Sequence, residues 1–235
     1  MGDTIAIDAR FNGPPESANG GYTCGLLAET LGEPLQVSLR RPPPLDRALE
    51  VERTGDGAVL RDGNDVVAEA SRAELDVDPP QPPAVEKARA SEGGFPFAHR
   101  HPFPTCFVCG PERSESDGLR IFPGPMDGGE VYAATWTPAD ELAEDGAVRP
   151  RFVWAALDCP TSVPVTNDAT DPDYKPIVLA RLAARRLADV EAARPHVIVS
   201  WPIAVDGRKR HAGSAIFTAD GELRAYARAL WIELR

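Results

Sequence analysis

Asn19-Gly20-Gly21-Tyr22-Thr23-Cys24-Gly25-Leu26-Leu27-Ala28-Glu29 decides how the chain is read, because a counterpart follows 129 residues later. That counterpart is Val148-Arg149-Pro150-Arg151-Phe152-Val153-Trp154-Ala155-Ala156-Leu157-Asp158. In each copy an apolar, helix-like stretch ends in a carboxylate. Further matches lie downstream. Leu39-Arg40-Arg41 answers Ala184-Arg185-Arg186, and Asp62-Gly63 with Ala68-Glu69-Ala70 answers Asp220-Gly221 with Ala227-Arg228-Ala229. The spacing widens along the chain, as expected when the second copy carries longer loops. Two fused copies imply a pseudo-twofold molecule, with chemistry expected where the copies meet.

The bulk composition restricts the function classes. Of 235 residues, 43% are hydrophobic and 26% charged, the profile of a globular protein. No apolar run is long enough for a membrane span, and Met1-Gly2-Asp3-Thr4-Ile5-Ala6 lacks the charged and apolar regions of a secretion signal, so a cytoplasmic protein is expected. A net charge of −11 speaks against nucleic acid, whose binding needs a surplus of Lys and Arg. An anionic ligand remains compatible with local basic pairs such as Arg40-Arg41 and Arg185-Arg186.

Around the opening motif the first unit reads as one buried helix from Gly20-Gly21 to the stop at Gly32. Strands are predicted at Leu35–Leu39, Ala48–Glu52, Ala58–Leu60 and Val66–Ala73, with Pro42-Pro43-Pro44 as a break between them. Asp76–Pro104 is proline-rich and without hydrophobic period, so it reads as a linker able to cross the molecule. The second unit is expected to hold strands at Leu119–Phe122 and Val131–Trp136 and the helix Arg151–Asp158. A polar insertion, Thr166–Lys175, then precedes strands at Ile177–Ala188, Val197–Trp201, Ala212–Phe217 and Leu223–Leu234. In the last of these, Ala225, Ala227 and Ala229 share one face, which suits a sheet closely covered by a helix. The domain expectation is an N-terminal unit over 1–75, a linker over 76–104 and a C-terminal unit over 105–235.

One helix wrapped by an antiparallel sheet, occurring twice, describes an α+β tandem (double) hotdog. The motifs Phe11-x-Gly13-Pro14, Gly20-Gly21-Tyr22, Leu26-Leu27-Ala28 and Leu39-Arg40-Arg41-Pro42-Pro43-Pro44-Leu45 carry the likeness. The chain resembles the double-hotdog acyl-CoA thioesterases of the thioesterase-like superfamily. Cys106-Phe107-Val108-Cys109-Gly110-Pro111 with Gly118-Leu119 is also similar to the opening strand of single hotdog thioesterases. The resemblance implies two long central helices under one continuous sheet, an acyl-CoA or other acyl-thioester ligand, hydrolysis without a cofactor, and a homo-oligomer built through the sheets.

Candidate chemistry follows from residue types. The free N–H groups of a first helical turn form an anion site. The resemblance assigns thioester polarisation to Gly21 and Tyr22; Asn19, Gly20, Arg40 and Arg41 are the residues expected to bind substrate. Asp158, in an apolar surround, should have a raised pKa and serve as general base, with Glu29 as the other candidate. The resembling families place their carboxylate elsewhere: one position earlier, where Ala28 and Leu157 stand, or on the strand after the second helix. That departure keeps a second reading in view, a non-catalytic binder of acyl-CoA or another hydrophobic ligand. His99-x-His101-x4-Cys106-x2-Cys109 offers four metal donors, but no second Cys-x-x-Cys completes a zinc ribbon, so no metal is expected and the thiols read as packed residues. Cys24 and Cys159, on the two helices, read as core.

Overall fold

The computed structural model describes residues 3–32, 34–167 and 169–234. Strand β1 (Asp3–Ala6) precedes helix α1 (Gly20–Leu31), and strands β2 (Leu35–Leu39), β3 (Ala48–Thr54), β4 (Gly57–Asp62) and β5 (Asp65–Arg72) follow it. The second half has β6 (Gly124–Pro125), β7 (Tyr132–Trp136), the short hairpin β8 (Ala143–Glu144) and β9 (Ala147–Val148), then helix α3 (Pro150–Asp158). Strands β10 (Ile177–Arg186), β11 (His196–Asp206), β12 (Lys209–Thr218) and β13 (Leu223–Glu233) complete it. Helix α2 (Val85–Ser91) lies in the proline-rich stretch between the halves.

Apart from the β8–β9 hairpin, the strands form one 11-stranded sheet in the order β1-β3-β4-β5-β2-β10-β13-β12-β11-β7-β6. Its pairs are antiparallel, and β2 joins β10 from Ser38↔Arg181 to Leu35↔Ala184. Read outward from that junction, the halves run β2, β5, β4, β3, β1 and β10, β13, β12, β11, β7, the same order of chain visits on either side. At the junction Val37 faces Leu182, and 182 − 37 equals the 145 that separates Leu39 from Ala184.

Both helices belong to one apolar core with the inward strand residues, among them Leu35, Leu182, Ile198, Ile216, Ala225, Ala227 and Ala229. Alanines at the last three positions let α3 lie close on β13. Helix α1 is capped by the Asn19 side chain, which accepts the Tyr22 N–H, and is buried from Gly21 through Ala28. Helix α3 opens with Pro150, where the missing N–H costs nothing.

The sequence reading places no strand at β1, β6, β8 or β9, and three further segments differ from it. The linker is not structureless: α2 places Ala88 against Val197, Val199, Ala215 and Phe217, on the sheet face opposite α3. Strands β11 and β12 are therefore covered on both sides, which is why they are apolar without alternation. Beyond α2, Glu92 accepts both the N–H and the hydroxyl of Thr135, using a donor that β7 would otherwise expose at the sheet edge. Second, Cys106–Cys109 is a turn rather than a strand, and Leu119–Phe122 is irregular. The two stretches still meet through Leu119 N–H to Phe107 O at 2.8 Å and Ile121 N–H to Val108 O at 3.0 Å. Third, Cys159–Val165 continues α3 as a 3-10 helix, which Pro160 and Pro164 suit better than a further α turn.

Candidate active site at the helix seam

Helices α1 and α3 run antiparallel and touch without intervening side chains. A Cβ on Gly21 would lie 2.3 Å from Asp158 Cβ and 2.7 Å from Trp154 O. One on Gly25 would lie 2.5 Å from Arg151 Cα. Glycines four apart share a helix face, so this pair creates the contact. Each helix then ends its partner's first turn. Asp158, last in α3, accepts the Gly21 N–H through Oδ2 at 2.8 Å. Glu29, near the end of α1, accepts the Arg151 N–H at 3.0 Å and the Arg151 guanidinium as well. A carboxylate at a helix N-terminus is stabilised by about 0.3–1 kcal/mol by the dipole alone.

The two carboxylates differ in what else they meet. Glu29 is neutralised by Arg151. Asp158 is 1% exposed and has no cation beside it; its Oδ1 has no hydrogen-bond partner among the described residues. Burial raises its pKa to about 7, opposed by the Gly21 N–H and the Asn19 amide, while the nearby Cys106 adds to the rise.

Asp158 stands in the wall of a cavity of about 450 Å³. Asn19, Gly20, Arg40 and Arg41 line it too, so the sequence-derived binding residues converge there, with Asp158 from the second half. Gly21, Tyr22 and Glu29 are not lining residues. The expected donors at the helix start are corrected on one point. The Gly21 N–H is held by Asp158, and the Tyr22 N–H by Asn19 Oδ1 at 2.9 Å. Neither is open to a ligand, because the tight glycine contact brings the carboxylate onto the turn that would receive it. Gly20, one residue earlier, has no N–H partner among the described residues. Arg40 and Arg41 sit at the exposed rim and pair with Glu69 at 2.5 Å and Asp65 at 2.8 Å. Exposed pairs of this kind contribute about 0–1 kcal/mol and yield readily to an anion.

Several lining residues were not singled out for this cavity by the sequence reading. Phe95 and Phe97, from the linker, form an aromatic wall with His101 and Tyr174. The Gly94-Phe95-Pro96-Phe97 run was the available signal, two aromatics inside a stretch otherwise poor in them. His101 Nδ1 accepts the Phe103 N–H at 2.9 Å, which leaves the proton of the neutral ring on Nε2. Burial lowers the His101 pKa, and Nε2 is buried without a partner. Cys159, read as core, lies with its sulfur 3.8 Å from that of Cys106, and both line the cavity with Cys109. His99 is exposed and takes no part. Hydrogen bonds from Cys109 and Cys159 hold the Cys106 thiol well below its ordinary pKa, whereas the bonds of Cys159 to Cys106 and Cys109, with its burial, push the Cys159 thiol well above.

Comparison with known proteins adds the fold. No family model matches the chain, and no curated protein matches it. Solved structures do. A conserved protein of unknown function with a hot dog fold from Alicyclobacillus acidocaldarius superposes with a TM-score of 0.62 at 14% identity, over 99% of this chain and 92% of that one. The acyl-CoA thioesterase II TesB2 from Mycobacterium marinum gives 0.59 at 14% identity, over 98% and 92%. The tesB protein of Mycobacterium avium subspecies paratuberculosis gives 0.60 at 13% identity, over 99% and 92%. The chain has the hotdog fold, as the sequence resemblance implies.

Proposed function

We propose that this protein is a double-hotdog, thioesterase-like hydrolase that cleaves an acyl thioester such as acyl-CoA in the cavity at the start of α1. The observation that carries the reading is Asp158: a buried carboxylate anchored by one oxygen to the Gly21 N–H, its other oxygen unpartnered, in the wall of a largely apolar cavity. Two matching half-sheets around one core support a fused duplicate over 1–75 and 105–235, with 76–104 as a strap rather than a loose linker. The name of one superposed structure, an acyl-CoA thioesterase II, agrees with this reading.

In the proposed reaction Asp158 Oδ1 takes a proton from water as the oxygen attacks the thioester carbonyl. The carbonyl becomes an oxyanion, and its donors are the Gly20 N–H, the Asn19 amide and the His101 Nε2–H, each at the cavity wall. Collapse of the tetrahedral intermediate expels the thiolate, which recovers the proton from Asp158. Gly21 and Tyr22 act one step back: the Gly21 N–H holds Asp158, and the Tyr22 N–H orients the Asn19 amide. Arg40 and Arg41 receive the anionic end of the substrate by exchanging their carboxylate partners.

Turnover of an acyl-CoA panel by the wild type and by Asp158→Asn tests the proposal. Asn keeps the shape and still accepts the Gly21 N–H, so ligand affinity should hold while hydrolysis falls about 10²–10⁴-fold. Wild-type protein that binds acyl-CoA without turning it over would instead establish the binder, a reading favoured by the occupied Gly21 and Tyr22 N–H groups.

A further inference from the structure

We propose that Cys106, Cys109 and Cys159 bind one zinc ion whose fourth position opens to the cavity. The inference stands independently of thioester hydrolysis. The three sulfurs lie within 4.8 Å of one another, and Cys106 and Cys159 are 3.8 Å apart. A tetrahedral zinc with Zn–S bonds of about 2.3 Å has sulfur–sulfur edges of about 3.8 Å, so one ion fits with little movement.

The turn that supplies two of the ligands is held in place by the backbone around it. Cys106-Phe107-Val108-Cys109-Gly110 closes with the Gly110 N–H on Cys106 O at 2.9 Å. A Cβ at Gly110 would sit 2.5 Å from that oxygen, so only glycine completes the turn. Three backbone bonds fix the turn: Phe107 N–H to Asn12 O at 2.8 Å from the first half, and the Leu119 and Ile121 bonds from the second. The Asn19 amide lies 3.5 Å from the Cys159 sulfur and 4.0 Å from that of Cys106, a partner for the excess negative charge of three thiolates on Zn²⁺.

Core packing alone does not explain this cluster. Beside the thiols lie a polar amide and Asp158, a carboxylate that is 1% exposed and has one oxygen unpartnered. No His, Asp or Glu joins the three sulfurs within the same radius among the described residues, and all three cysteines line the cavity. Three protein ligands and a position filled by solvent are the result.

Protein purified under reducing conditions without chelator should contain about one zinc per chain by elemental analysis. Exchange with Co²⁺ should give the intense ligand-field and sulfur-to-metal bands of tetrahedral cobalt thiolate. Cys106→Ser, Cys109→Ser and Cys159→Ser should each lose the metal; Cys24→Ser and Asp158→Asn should keep it. If the serine variants fail to fold, thiol alkylation of the wild type decides. The three cysteines should resist modification until a chelator is added. Folded, reduced wild type without zinc and without cobalt–thiolate bands overturns the proposal, as does a disulfide among the three in freshly isolated protein. Loss of zinc in Asp158→Asn overturns the open fourth position.

Discussion

Two residues of similar chemistry, placed alike by the fold, have different prospects. Asp158 ends its helix, Glu29 lies in the last turn of the other, and each accepts an N–H from the start of its partner helix. The Arg151 guanidinium satisfies Glu29, so Glu29→Gln is expected to leave any hydrolysis intact. It should lower stability by about 1–3 kcal/mol through the lost charge-assisted bonds, read as a shift in denaturation midpoint. Asp158 has no such partner, so its substitution should show in activity. Should Glu29→Gln abolish turnover while Asp158→Asn retains it, the assignment of the two carboxylates is reversed.

Among the secondary-structure elements, the glycine face of α1 controls the site. Gly21→Ala forces a methyl to within 2.3 Å of Asp158 Cβ, and the neighbouring Trp154 O leaves no room to yield. The helices must part, at a cost of about 1–3 kcal/mol. Because the carboxylate loses its N–H donor in the same movement, the variant should be both less stable by thermal denaturation and impaired in turnover. A variant as stable and active as the wild type would mean that the contact has no such role. Strand β11 carries a second test. His196 is 1% exposed, its Nδ1 lies 2.9 Å from Arg194 O, and burial lowers its pKa, with Arg224 adding to that and Glu191 opposing. A histidine with a depressed folded pKa binds more protons when unfolded. Its contribution to stability is thus complete above the unfolded value of about 6.5 and is lost as pH falls toward the folded pKa. His196→Gln should flatten that acid limb in pH-dependent denaturation; an unchanged limb would exclude His196 as its source.

Across the whole molecule, the halves depend on each other and on the strap between them. Neither helix has a complete partner surface within its own half, since α1 buries Gly21 and Gly25 against α3. The strap covers the second half-sheet with Ala88, which is fully buried. Ala88→Glu would place an uncompensated charge between β7, β11 and α2, so the expectation is a loss of at least about 3 kcal/mol, seen as a large drop in Tm. A Tm within a few degrees of the wild type would show that the strap is not part of the folded core. Among the described residues no helix is long and apolar enough to cross a membrane.

The sequence by itself determined the two seam helices and the longer strands of both halves. Hydrophobic period, the glycine pair at Gly20-Gly21 and the repeated carboxylates are local signals, and local signals survive without coordinates. It also pointed to Asp158, because an acid inside an apolar run is anomalous wherever the run folds. Only the tertiary structure decided what that acid touches. The Gly21 contact spans 137 residues and the Cys106–Cys159 approach 53, and no spacing rule links residues brought together by a sheet junction and a helix crossing. The linker misled for the same reason: α2 is short, and what makes it ordered is the far face of a sheet formed later in the chain. Likewise the donors of α1 looked free, since a first helical turn offers unpaired N–H groups by rule. Whether a ligand or a neighbouring side chain takes them depends on how closely two helices approach, and glycines at 21 and 25 let them touch.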